Sequence, residues 1–151
     1  MRKCLIILSL LALLGSCKEK VQTTPILRFD QELMGARTAE EVQAVLTQNE
    51  AITQALFGSA SSDTGLVAGV HHMVQHADAQ AFYAQTQETF GNLEKLEESF
   101  GIAFAEIKKL YPEFKEPKLV AAFTGLQNDL VVTDSLVVIS LEAFVGPHAK
   151  F

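Results

Sequence analysis

Residues 118–147, KLVAAFTGLQNDLVVTDSLVVISLEAFVGP, contain three strands that we predict for this chain. Two segments within them, 119–123 and 135–141, are rich in β-branched and other apolar residues, which is typical of strands. Residues 130–132 predict a shorter strand between these two, because Asn-Asp and Thr-Asp pairs that favour turns lie on either side. We therefore predict a small antiparallel β-meander at the end of the fold.

Helices are predicted for most of the chain before these strands. From residue 66 to residue 111, apolar side chains recur at spacings of three or four, and charged residues occupy the other faces. The repeat is clearest in Leu93, Leu96, Phe100, Phe104, Ile107 and Leu110. Thr38 and Glu41 are placed as in a capping box, which begins a helix. With a short strand or extended segment at residues 26–30, the predicted fold class is α+β, with amino-terminal helices followed by the meander.

The first seventeen residues, MRKCLIILSLLALLGSC, have the layout of a bacterial lipoprotein signal. A positive n-region precedes the apolar residues 5–14, a run that is too short for a membrane-spanning helix of about 20 residues. Residues 14–17, Leu-Gly-Ser-Cys, resemble the lipobox, in which the chain is cut before the cysteine and the thiol receives lipid. We therefore predict a signal peptide at residues 1–16 and attachment of lipid, with acyl chains such as palmitate, at Cys17.

The alternative is an ordinary secretory signal that leaves Cys17 as a free thiol or a disulfide partner. Cys4 would leave with the signal, so Cys17 would be the single cysteine of the mature chain. An unpaired thiol is a liability in an oxidising compartment, which favours lipidation and membrane attachment. We accordingly interpret residues 17–25 as a lipidated cysteine and polar tether, and residues 26–151 as a single α+β domain.

The charge of the chain argues against nucleic acid as a partner. The formal net charge is −6 at pH 7, and loss of Arg2 and Lys3 with the signal would leave ten basic residues against eighteen acidic ones, a charge of −8. An acidic surface repels a polyanion. Hydrophobic residues make up 48% of the chain, which is enough for one core.

Residues 71–76, His-His-Met-Val-Gln-His, are the pattern that comes nearest to a metal site. On a helix, His72 and His76 lie one turn apart on the same face, as two zinc-binding histidines do. A zincin helix has glutamate directly after its first histidine, but Met73 stands there, and nothing in the spacing selects a third ligand. We therefore favour a polar helix face whose rings bond to backbone or water, with His72 and His76 kept as the metal candidates.

Other patterns that would indicate catalysis are weaker. Ser59, Ser61 and Ser62 lie in a predicted loop without the glycine-flanked turn of a nucleophilic serine, and there is no glycine-rich phosphate loop. We assign no catalytic residue and no cofactor. Whether the chain is an enzyme stays open, with the balance against catalysis because no complete catalytic set is seen.

The chain from Leu110 onward carries a resemblance to a known family. Residues 111–114, YPEF, then 117–120, PKLV, and 134–147, DSLVVISLEAFVGP, look like the gliding-motility lipoprotein GldB family. Arg28-Phe29-Asp30 resembles the motif near the start of that family's domain. After the final strand the family usually has leucine, aspartate, an aromatic residue, leucine and glycine, and this chain departs from that pattern at Glu142 and Phe144.

The resemblance implies a lipid-anchored envelope protein, most simply of the outer membrane, that acts in gliding motility or its associated secretion machinery through protein partners. It also implies a fold remotely related to zincin-like peptidases. The family domain is longer, so we expect this chain to be its amino-terminal portion, with the domain at residues 26–151 truncated at the carboxyl end. The alternative is the amino-terminal part of a membrane-anchored, zinc-dependent hydrolase whose metal site lies beyond residue 151.

Overall fold

The computed structural model of this chain describes residues 22–147 and residue 149. Within them the predicted α+β class is confirmed: a short strand comes first, the α-helices follow, and the other strands come after these helices. None of these helices is both long enough and apolar enough to cross a bilayer. The predicted signal peptide and Cys17 lie outside the described residues.

In chain order the elements are β1 (Ile26–Arg28), α1 (Phe29–Gly35), α2 (Ala39–Gln48), α3 (Glu50–Phe57), α4 (Thr64–Gln75), α5 (Ala77–Phe90), α6 (Glu94–Leu110), β2 (Lys118–Ala122), β3 (Leu130–Val132), β4 (Leu136–Ser140) and a 3-10 helix at Leu141–Phe144.

The strands form a mixed sheet in the order β1-β2-β4-β3, which corrects the predicted antiparallel meander. Strands β1, β2 and β4 run parallel, and β3 alone is antiparallel to its neighbour β4. The position of each strand in the sheet agrees with the burial of its residues. Apart from Lys118 and the half-buried Val137, β2 and β4 are buried, as central parallel strands are, whereas β3 exposes Leu130 and Val132 and occupies an edge.

Alternate residues of the central strands point to opposite faces of the sheet, and each face packs against different helices. Val120, Ala122 and Val138 contact the core formed by α1 to α5. Leu119, Ala121 and Ile139 contact the other core, which α6 provides with Phe104 and its neighbours. The sheet is therefore buried between two helical layers.

Local sequence signals are largely confirmed. The Thr38 hydroxyl accepts a hydrogen bond from the Glu41 amide at 3.2 Å, and the Glu41 carboxylate accepts one from the Thr38 amide at 3.3 Å, which is the predicted capping box. The apolar repeat of α6 holds from Leu93 to Ile107. It does not extend to Leu110, which is 76% exposed because the helix ends there and the chain turns away toward Pro112.

Residues 22–25, at the start of the described chain, lie along α6. The amide of Thr24 donates to the carbonyl of Glu97 at 3.0 Å, and the amide of Ile26 donates to the Glu97 carboxylate at 2.9 Å. This close approach requires glycine at position 101, because a Cβ there would collide with the carbonyl oxygen of Gln22. The path by which the chain reaches the sheet is thus set by α6.

Candidate functional site

The carboxyl ends of β1, β2 and β4 lie at the same edge of the sheet because these strands are parallel. In open sheets of this kind, ligands bind outside the carboxyl ends of the strands. Polar residues lie at or just beyond the end of each strand: Arg28 is the last residue of β1 and Asp30 comes soon after it, Thr124 comes after β2 and Glu142 after β4. We call this region the carboxyl edge.

The Asp30 carboxylate is fully buried and accepts hydrogen bonds at both oxygens. Oδ1 accepts from Arg28 Nε at 2.8 Å, and Oδ2 accepts from Arg28 Nη2 at 2.7 Å. Oδ2 also accepts from Gln87 Nε2 at 3.0 Å and from the Tyr83 hydroxyl at 3.2 Å, both on α5. This network therefore joins the junction of β1 and α1 to α5.

Two side chains of the network have raised pKa values. The hydrogen bond to Asp30, together with its charge, raises the pKa of the Arg28 guanidinium. Burial raises the pKa of the Tyr83 phenol, and the adjacent charge of Asp30 raises it further. Both groups consequently stay protonated and keep donating to Asp30. The network holds charge in place and is suited to stabilising the fold rather than to transferring protons.

The second buried carboxylate, Glu142, supports the loop after β2. Its Oε1 accepts from the Thr124 amide at 2.6 Å, from the Thr124 hydroxyl at 2.9 Å and from the Leu126 amide at 3.2 Å. The other oxygen, Oε2, is buried without a hydrogen-bond partner in the described part of the chain. Leu126 has a φ of +67°, a conformation that a bulky L-residue rarely adopts, and Glu142 stabilises it there.

Replacing Leu126 with glycine is expected to increase the free energy of unfolding by about 1 kcal/mol, since glycine adopts positive φ without the steric cost. Little burial is lost because the leucine side chain is 54% exposed. Urea denaturation measures the change. Leu126→Ala is the matched control, because it removes the side chain but keeps the strain. An equal gain in both variants would contradict strain at this residue.

The predicted metal candidates lie in a cleft of about 480 Å³ beside this loop. The structure brings His72 and His76 together, with ring centroids 5.8 Å apart. His76 has a structural role, however, because its Nδ1 accepts from the Asp78 amide at 3.3 Å and caps α5. Across residues 22–147 and 149, no three His, Cys, Asp or Glu residues are grouped so that they could hold a metal ion.

A groove of about 380 Å³ lies on the other face of the sheet, between α6 and the strand edge at β3. Its lining is apolar and includes Leu96 and Phe100 of α6, Leu130 of β3 and Phe144 of the 3-10 helix. Leu130 and Phe144 are more than half exposed. We call this the apolar groove, and its composition is suited to contact with another polypeptide rather than to polar chemistry.

A family model described as gliding motility protein GldB matches residues 16–151. The chain belongs to this family. The resemblance predicted from the sequence is therefore confirmed, and GldB membership associates the chain with gliding motility and with the cell envelope. Comparisons with curated proteins and with solved structures found no match. The predicted relationship to zincin-like peptidases gains no support from them.

The two buried carboxylates of this GldB chain, Asp30 and Glu142, had no role predicted from the sequence. Asp30 stood out only through its resemblance to a family motif, and Glu142 only as a departure from one. A signal was present in both cases, because each charged residue lies two positions after the end of a strand, directly after an apolar residue. Charged residues in such positions are rarely buried unless they are paired or hydrogen-bonded.

Proposed function

We propose that this GldB-family chain is a lipoprotein anchored in the outer membrane through lipid on Cys17. We further propose that it acts in gliding motility, or in the associated secretion machinery, by binding other envelope proteins. The observation that carries this proposal is the family match, which covers Cys17 together with every described residue. Two or three acyl chains on one cysteine would hold the protein durably at a membrane, whereas one chain would not.

The described residues support a binding role. The Asp30 carboxylate and one oxygen of Glu142 are already engaged in hydrogen bonds that hold the fold. By contrast, large apolar side chains are exposed together at one edge of the sheet, where Leu130, Val132 and Phe144 are 54%, 65% and 53% exposed. Exposed apolar clusters mark interaction surfaces. The alternative of a zinc-dependent hydrolase is supported by no feature of the described residues.

Replacing Cys17 with serine is expected to abolish lipid attachment and signal cleavage, because the thiol is the acceptor of the lipid. Metabolic labelling with radioactive palmitate measures this directly. Cys4→Ser is the matched control, since Cys4 lies in the predicted signal, and its label should be retained. Label that persists in Cys17→Ser would show that Cys17 is not the attachment site.

Deletion of the gene in the source bacterium, if it glides, tests the proposed function as a whole. Gliding and colony spreading should be lost on deletion and restored by the wild-type gene. The Cys17→Ser gene should fail to restore them, although its product still folds. Normal gliding in the deletion strain would overturn the proposal.

A further inference from the structure

The two edges of the sheet differ in how they are covered. At the β1 edge, Glu97 accepts the amides of Thr24 and Ile26, so α6 covers part of this edge. At the other edge, β3 pairs only with β4 among the described strands. An open edge strand presents unpaired backbone donors and acceptors, which is a template for pairing with a further strand.

The register of β3 against β4 shows which backbone groups point outward. Leu130 lies opposite Ile139 and Val132 opposite Val137. The amide of Ser140 donates to the Asp129 carbonyl at 3.0 Å, and the amide of Thr133 donates to the Leu136 carbonyl at 2.9 Å. In an antiparallel pair, hydrogen-bonded positions alternate, so residues 129, 131 and 133 point toward β4. The amides and carbonyls of Leu130 and Val132 therefore point away from the sheet.

The side chains of the same two residues lie on the face of the apolar groove. Val131 packs into the core on the opposite face, and Leu130 lines the groove with Phe100 and Phe144. An extended segment added beside β3 would bond to the outward amides and carbonyls. Alternate side chains of that segment would then enter the groove, which is how strand addition combines affinity with selectivity.

Charge at the ends of β3 indicates the chemistry of the partner. Asp129 and Asp134 are exposed at either end of the strand. Neither carboxylate forms an ion pair with any residue in the described ranges. The whole chain is also acidic, with a net charge of −6. Complementary charge on a partner would be positive and would sit at the ends of the added strand.

We propose that the β3 edge binds an extended segment of a partner protein, with alternating apolar side chains and a basic residue at each end, as a fifth strand of this sheet. The inference rests on the proposed function, because it names the class of partner through which the lipoprotein acts. Backbone pairing at Leu130 and Val132 provides the bonds, and the groove and the two aspartates select the sequence.

Val132→Pro tests the backbone pairing. Proline removes an outward amide that the fold does not use, and proline is tolerated on an edge strand at such a position. The probe is the peptide Lys-Val-Thr-Val-Thr-Val-Lys-amide, labelled at its amino terminus with an uncharged fluorophore and titrated against the full chain purified in detergent. The wild-type chain should bind, and Val132→Pro should weaken binding at least about tenfold while the melting temperature stays unchanged. Val132→Thr, which keeps the amide, should bind like the wild type.

The charge requirement is tested with the same probe. Changing both Asp129 and Asp134 to lysine should weaken binding, whereas Asp78→Lys, an exposed change on α5, should not. A peptide with glutamate in place of both lysines should bind the wild-type chain more weakly than the lysine peptide. No binding up to about 1 mM, or equal binding by Val132→Pro, would overturn the inference. A dimer of the chain that Val132→Pro dissociates would also overturn it, because the occupant would be a second copy.

Complementation separates this inference from the proposed function. The Val132→Pro gene, expressed in the deletion strain, should fail to restore gliding although its product is lipidated and present at wild-type amounts. Full restoration by Val132→Pro would overturn the inference and leave the proposed function standing. Gliding that persists in the deletion strain would overturn the proposed function instead, while the peptide titration would still decide whether the edge binds a strand.

Discussion

Replacing Arg28 with methionine is expected to reduce the free energy of unfolding by about 3–5 kcal/mol. Asp30 is fully buried, and Arg28 makes two of its four hydrogen bonds. Methionine fills part of the same volume but provides neither charge nor donors, so the buried carboxylate would keep the bonds from Gln87 and Tyr83 but lose its counter-charge. Urea denaturation, monitored by circular dichroism, measures the loss. The dependence of the free energy of unfolding on urea concentration is held equal for the two proteins.

A double variant separates two contributions to the free energy of unfolding. One is the penalty for a buried charge without a partner, and the other is the stabilisation that the Arg28–Asp30 pair provides. Arg28→Met combined with Asp30→Leu leaves no buried charge, and it should be clearly more stable than Arg28→Met alone. The donors of Gln87 and Tyr83 would lose an acceptor, so full recovery is not expected. If the double variant were less stable than Arg28→Met, Asp30 would not carry the penalty.

Replacing Glu142 with alanine is expected to lower the free energy of unfolding by about 3 kcal/mol or more. The variant loses three hydrogen bonds to a buried carboxylate, and such bonds to charged groups contribute about 1.5–3 kcal/mol each without being additive. It also leaves the amides of Thr124 and Leu126 without their acceptor. Faster amide exchange at these two residues, measured by NMR, should accompany the global loss.

Glu142→Gln is the control for this change. The amide oxygen of glutamine can accept at the position of Oε1, and the NH₂ group would occupy the position of Oε2, which has no partner in the described structure. The loss should therefore be about 1 kcal/mol. Equal losses for alanine and glutamine would show that the negative charge, rather than an acceptor, holds the loop.

Features set by neighbouring residues could be predicted from the sequence. The capping box at Thr38 and Glu41 depends on contacts three residues apart, and the helical repeat of α6 depends on spacings of three and four. Lipidation at Cys17 was likewise predicted from a local motif and stays a prediction. The fold class could be predicted from these local signals because each signal assigns one segment to a helix or a strand, and the class depends on these assignments.

Features that depend on distant parts of the chain could not be predicted. The Asp30 network joins residues 57 positions apart, and Glu142 meets Thr124 across 18 positions. The prediction of an antiparallel meander was wrong for the same reason. The apolar residues of β3 and β4 look alike in sequence, and the two strands differ only in what covers them. The exposed edge at Leu130 and Val132 was thus visible only once the pairing was known.

If Cys17 is lipidated as proposed, the glycine at position 101 limits the distance between α6 and the bilayer. Because position 101 is glycine, residues 22–25 can lie against α6. These residues therefore add no length to the tether that would start at Cys17. Five residue steps, from Cys17 to Gln22, span at most about 18 Å. If Cys17 is lipidated as proposed, α6 stays close to the lipid headgroups. Phe100, next to Gly101, lines the apolar groove, so a strand bound there would be held near the membrane surface.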